Sequence, residues 1–276
     1  SISTQYSLMF LNFLLVLFIT NAARADADEN LSVVYPNKKQ TFSLKELKAK
    51  LPVFEVTTND PVYKSTKTFK GFLLKDILNL IGPLPTVVDE ISFVAKDGYS
   101  PSISVSEGLS SISYVTFAEK NRKNNWQLIK QGKKMLNPGP FYLVWKDEEK
   151  VPEYFPRPYQ LIRIELIEFK TLYRSIYPEG LAQKENEKKG FVIFKNNCVK
   201  CHSLNGAGGT LGPELNYPKN VTEYWNLSEM RTYLKNPSAF RLRAVMPSFD
   251  KLDEPSVDNL IKYLTFMKDH KEPPQP

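Results

Sequence analysis

Three side chains with strong ligand chemistry, packed between positions 198 and 202, constrain this chain more than any other feature. Cys198, Cys201 and His202 form C-x-x-C-H inside the stretch VIFKNNCVKCHSLNGAGG (192–209). The 276 residues include 2 Cys and 2 His, so the motif uses both thiols and one of the two imidazoles. A disulfide across two intervening residues would close a loop too small to remove much chain entropy. The pair is therefore expected to serve chemistry, not a covalent framework.

Three chemistries use a Cys pair at this spacing. A structural zinc site needs four N or S ligands, and the only imidazole outside the motif is His270, near the end of the chain. A dithiol redox centre places C-x-x-C at a helix start after a strand, whereas a helical pattern precedes this motif. Attachment of a c-type haem fits both the spacing and the adjacent His. One helical turn presents two sulfurs to the two vinyl groups on a single porphyrin edge, and the imidazole next to them lies under the iron. A sixth ligand would come from further along the chain. Met9 lies in the apolar N-terminal run, Met135 in the first half of the chain, and Met230 and Met267 in helical patterns where Met fills cores. Met246, in the loop RAVMPSF (243–249), is followed by Pro247, whose fixed φ stiffens the loop. Met246 is the expected ligand.

Thioether formation to haem takes place outside the cytoplasm, and the N-terminus agrees with export. LMFLNFLLVLFI (8–19) is an apolar run of signal-peptide length, followed by Ala23-Arg24-Ala25, which has the small-x-small form of a cleavage site. Residues 1–25 are therefore expected to be a signal peptide; left uncleaved, they would tie the protein to a membrane. The expected location is periplasmic, soluble or membrane-associated. The 17 Phe, 14 Tyr and 3 Trp provide ample apolar area for folded cores, and a net charge of +7 over this length is not the dense basic stripe of a nucleic-acid binder.

The pattern changes character along the chain. LSVVY (31–35), VFEVTT (53–58), ISYVTFA (112–118), FYLVWK (141–146) and the alternating QLIRIELIEF (160–169) read as strands. ISFVAKDGYSPSISVS (91–106) reads as two strands about an Asp97-Gly98 turn. TFSLKELKAKL (41–51) reads as a helix opened by a Ser43/Glu46 capping box, and KGFLLKDILNLIG (70–82) as a short helix. From residue 185 the periodicity is helical: ENEKKGFVIFKNN, NLSEMRTYLKN and EPSVDNLIKYLTFMKDH. The expectation is a multidomain chain, an α+β, mainly β domain over 26–175 and an all-α domain over 176–276. The basic residues Lys195, Lys200, Arg241 and Arg243 flank the motif segments and suggest a collar that would steer an acidic redox partner.

The second domain resembles a class I cytochrome c over residues 185–270. Gly190 and Phe194 match the signature of the family's N-terminal helix, and Leu260, Tyr263 and Leu264 match the C-terminal helix that crosses it. GTLGPELN (209–216) is similar to the loop whose proline, here Pro213, packs near the proximal His. The resemblance implies one covalent haem c held by Cys198 and Cys201, with His202 and Met246 as axial ligands. It also implies one-electron transfer with a partner oxidoreductase and no catalysis of its own. Residues 31–170 are similar to the sulfite oxidase-type molybdopterin-binding fold, in the helix after Lys70, the Asp97-Gly98-Tyr99 turn, Gly139-Pro140 before a strand and the final alternating strand. That enzyme family holds molybdenum through a Cys thiolate, and none exists here outside the motif. The expected role of the domain is thus docking without molybdenum. The competing reading is a molybdopterin-dependent, sulfite dehydrogenase-like oxidoreductase that passes electrons to its fused haem.

Overall fold

The computed structural model describes residues 29–131, 134–242 and 244–273. The signal-like run 1–25, with Met9, lies outside the described residues, as does Arg243. Among the described residues, no helix is long and apolar enough to cross a membrane.

Residues 30–167 form two sheets. The first has the order β2 (Lys38–Ser43), β1 (Asn30–Tyr35), β11 (Leu161–Ile167), β5 (Glu90–Ala95), β6 (Ser102–Ser104); β1 runs parallel to β11 and the other pairs are antiparallel. The second is antiparallel, in the order β10 (Tyr142–Trp145), β7 (Ser113–Glu119), β4 (Ser65–Leu73), β3 (Phe54–Asp60). A short hairpin, β8 (Ile129–Gln131) and β9 (Lys134–Leu136), lies beside them. Three short helices, α1 (Leu44–Lys50), α2 (Leu74–Asn79) and α3 (Val105–Ser110), connect strands.

The main core unites Val33, Phe93 and Ile164 of the first sheet with Phe72, Val115 and Trp145 of the second, so it lies between the sheets. The second sheet is also covered on its far face, where Phe69, Trp126, Tyr142 and Val144 pack together. Burial on both faces explains why β7 and β10 read as nearly unbroken apolar runs. In β11 the register shifts between Leu161 and Arg163, so the buried positions are Leu161, Ile164 and Leu166 and the simple alternation is broken. The capping box on α1 is present: Glu46 N–H donates to Ser43 Oγ and Ser43 N–H to the Glu46 carboxylate.

One element differs from its expected type. The expected helix over 70–82 begins only at Leu74, because Lys70–Leu73 extend β4 and pair with β7. Sheet pairing on both sides of β4 overrides a short apolar spacing that suits either structure.

The remaining chain is helical, with α4 (Phe169–Tyr173), α5 (Glu185–Asn197), α6 (Leu227–Lys235), α7 (Pro237–Phe240) and α8 (Glu254–Met267), plus a two-residue hairpin at 203–208. Its core joins Phe191 and Phe194 of α5 to Leu260, Tyr263 and Leu264 of α8. Tyr173, Ile176 and Leu181, where the two units join, are also buried in this second core. The multidomain arrangement, mainly β and then helical, is as the sequence implies.

The two units are joined by direct bonds. Ser100 N–H donates to the Lys200 carbonyl at 2.8 Å, and Thr210 N–H to the Gly98 carbonyl at 3.0 Å. Lys195 Nζ meets Glu90 Oε1 at 2.5 Å, and Lys251 pairs with Glu153 at 2.9 Å. The turn between β5 and β6 is thus fastened to the C-x-x-C-H segment.

Candidate functional site

The last turn of α5 runs directly into the motif. Cys198 N–H donates to the Phe194 carbonyl at 2.8 Å; Cys201 and His202 N–H both reach back to the Cys198 carbonyl, at 3.0 and 2.9 Å. A tight helical turn therefore carries both sulfurs. They are not joined as a disulfide, and both are part-buried. Burial pushes the Cys198 thiol up to about 12 and the Cys201 thiol up to about 11. Neither is a thiolate at neutral pH, which argues against a redox dithiol.

His202 is held from its far side. The loop 209–215 lies along the motif through Gly209 N–H to Val199 O (2.7 Å), Gly212 N–H to Cys201 O (2.7 Å) and Leu215 N–H to Ser203 O (3.0 Å). This places the Pro213 carbonyl 2.8 Å from His202 Nδ1. A carbonyl only accepts, so Nδ1 carries the proton and Nε2 keeps its lone pair for a metal. Gly212 is pressed against the ring: a Cβ there would sit 2.4 Å from Cε1 and 2.6 Å from Nδ1. Gly212→Ala should tilt the imidazole and lower the yield of metal-loaded protein about tenfold, as loss of an orienting contact does. Iron per chain, measured on the purified variant, checks this.

A polar frame fixes the loop. Glu214 accepts backbone N–H bonds from Asn205, Gly206, Asn216 and Tyr217 at 2.8–3.1 Å. Burial alone would raise its carboxyl, but these bonds and Ser203 outweigh it and hold the group below its ordinary value. Buried Asn216 donates to Asn205 Oδ1 and the Met267 carbonyl, and Asn220 to the Leu264 carbonyl, which closes the open carbonyls of α8. Gly212, Asn205, Asn216 and Asn220 were missed from sequence. A Gly or Asn in a loop has many uses, and only tertiary contacts distinguish these.

Cys198, Cys201, His202, Pro213 and Met246 line one cavity of about 820 Å³. Its walls are largely apolar, with Phe194, Leu215, Trp225, Leu260 and Leu264 among them. Met246 reaches it from a loop anchored where Phe249 N–H donates to the Leu234 carbonyl at 2.9 Å. Met230 also contributes to the wall, but from within α6, where it is buried in the helical core. His270 is not among the lining residues; its Nδ1 lies 3.0 Å from the Phe266 carbonyl. Met135 is 56% exposed in the first domain. An apolar slot with two thiols, an imidazole of fixed tautomer and a thioether suits a covalently held haem.

Of the expected basic collar, Lys195, Lys200 and Arg241 are described. Lys195 is turned to Glu90 and to the rings of Phe169 and Tyr173. Lys200 lies in the cavity wall and Arg241 on its exposed rim. The first domain also lines this cavity, through Asp97, Tyr99, Glu153, Phe155, Arg157 and Tyr159. Sequence gave no signal for that contribution, because it depends on how two domains pack.

The crystal structure of the sulfane dehydrogenase SoxCD from Paracoccus pantotrophus is 9% identical to this chain, with a TM-score of 0.35. That alignment covers 53% of this chain and 41% of the other, so this chain spans less than half of its length. Residues 187–268, from α5 through the C-x-x-C-H motif and the Met246 loop to the end of α8, match the sequence model of the cytochrome c family.

Proposed function

We propose that the protein is an exported monohaem cytochrome that exchanges single electrons with a partner oxidoreductase. Electron transfer and a covalent haem c are what a cytochrome c domain implies. The observation that carries the finer reading is the convergence of Cys198, Cys201, His202 and Met246 on one apolar cavity. In this reading Cys198 and Cys201 hold the haem edge as thioethers. His202 and Met246 would supply the ligands of its iron, and the Pro213 carbonyl orients the imidazole. The bound haem would supply an iron that takes up and returns one electron, at a potential raised by Met ligation. The apolar walls would keep water from a bound haem and so lower the polarity around it.

We assign residues 1–25 to an export signal, 26–175 to a docking domain and 176–276 to the cytochrome unit. A molybdenum centre held by a Cys thiolate does not fit residues 26–175, which contain neither Cys nor His.

Absorption spectroscopy and metal analysis of the purified protein test the reading. The expected result is a c-type spectrum that survives acid–acetone extraction, with one iron per chain. Molybdenum at one equivalent would sink the docking assignment. Met246→Ala should abolish the absorption band of Met–iron ligation while leaving the haem attached. Retention of that band would mean that another residue, Met230 first, is the ligand.

A further inference from the structure

In the reading proposed above, the haem edge held by Cys198 and Cys201 would be the closest approach for a partner. The structure closes that side with the chain's own first domain. The turn 97–100 is bonded to Lys200 and Thr210, and Tyr99, Arg157 and Tyr159 form the facing wall of the cavity. Glu90–Lys195 and Glu153–Lys251 pin the same junction from either side. With its lack of Cys and His, the first domain has no evident redox centre to receive an electron there.

The Met246-loop part of the rim is exposed. Leu242 is 86% exposed, Val245 61% and Phe240 43%, all in or beside the loop that carries Met246. Phe240 meets Tyr233 edge to face, and Tyr233 packs at a tilt against Trp225, with ring centroids 5.7 and 4.7 Å apart. Tyr233, Trp225 and Val245 also line the cavity, so the patch is continuous with the interior of the site. Arg241, between Phe240 and Leu242 in sequence, is exposed, lines the same cavity and has no ion pair among the described residues. Contiguous exposed apolar residues mark interaction sites, and an unpaired Arg in such a patch is a strong anchor for a carboxylate.

We propose that the redox partner docks on the Met246-loop face, at Phe240, Leu242 and Val245, and not on the cysteine side. The partner it fits is a protein with an apolar face edged by carboxylates, one of which meets Arg241. This rests on the haem reading. Docking requires no bond change. One electron passes from the reduced partner to the ferric iron, which becomes ferrous.

The test uses the full-length, haem-loaded protein and a reduced acidic blue-copper protein as probe. Stopped-flow absorption follows oxidation of copper(I) to copper(II) as the iron is reduced. Leu242→Ser and Arg241→Gln should each lower the second-order rate at low salt by about tenfold. Arg241→Gln should also flatten its salt dependence. Lys251→Gln removes a cation on the first-domain side, where it pairs with Glu153, and should stay within about twofold. Reduction by dithionite, which needs no docking surface, should be equal in all four proteins. A rate that falls with Lys251→Gln and ignores the other two changes would overturn the proposal, and so would three unchanged rates. A preparation without covalent haem would overturn the haem reading itself, and this inference with it.

Discussion

Gly190→Val is expected to destabilise the helical domain by about 3 kcal/mol, the upper end for overpacking a core. At this residue α5 crosses α8 with no space for a side chain. A Cβ on Gly190 would lie 2.0 Å from the Asn259 carbonyl oxygen and 2.6 Å from Tyr263 Cβ. The first obstacle is backbone, so no rotamer change relieves it and α8 must move away. That movement would break contacts made on both sides of the crossing. Phe191 and Phe194 lie 5.7 and 5.6 Å from the Tyr263 ring, and the Tyr263 hydroxyl donates to the Ile176 carbonyl at 2.6 Å. Leu260 and Leu264 of α8 line the cavity, so the slot would widen as well. Urea unfolding followed through haem absorption measures the loss. Gly190→Ala should fall part-way, since the clash begins at Cβ itself. Val192→Ala, on the exposed face of the same helix, should stay within about 0.5 kcal/mol. A Gly190→Val protein as stable as the Val192→Ala control would mean that the helices do not cross there.

The elements of the site that were legible in sequence are those whose chemistry is local. C-x-x-C-H stands out because its two thiols and its imidazole fall on a single helical turn. Ser43 and Glu46 were legible for the same reason: a capping box closes within four residues. Phe72 shows the limit. Its neighbours Leu73, Leu74 and Ile77 suit a helix face, but pairing of β4 with two strands decides the backbone, and those partners are distant in sequence. Tyr173 and Ile176 show another. Isolated apolar residues in a polar stretch carry no periodicity, yet both are buried in the helical core. The wall formed by Tyr99 and Arg157 was least legible of all. Nothing local distinguishes a tyrosine in a hairpin turn that faces water from one that faces a second domain.

Lys195→Met should cost about 3 kcal/mol at neutral pH, and most of that cost should vanish in acid. Lys195 on α5 and Glu90 on β5 form the most buried ion pair across the junction, with side chains 19% and 3% exposed. Burial raises the Glu90 carboxyl above its ordinary value, and the bond and charge of Lys195 only partly offset it. The second oxygen of Glu90 has no hydrogen-bond partner. Removing Lys195 would strand a carboxylate between two domains, and an uncompensated buried charge is what makes one-sided deletion of such a pair expensive. The pH dependence follows in sign. A carboxyl whose folded pKa lies above its unfolded value favours the folded state when protonated and loses that contribution as pH rises through the folded pKa. Without Lys195 the folded value climbs further, so the deficit against the parent protein should be full in the alkaline range and shrink steadily into acid as Glu90 takes up a proton. Glu90→Gln should behave differently. It leaves Lys195 over the faces of Phe169 and Tyr173, at 5.0 and 5.4 Å, and its smaller cost should show no acid recovery. The double variant Lys195→Met/Glu90→Leu, which removes both charges, should regain most of the parent stability. Urea titrations in alkaline and in acid buffer distinguish these cases. A Lys195→Met deficit that does not change with pH would mean that the Glu90 charge is not what fastens the first domain to the cytochrome unit.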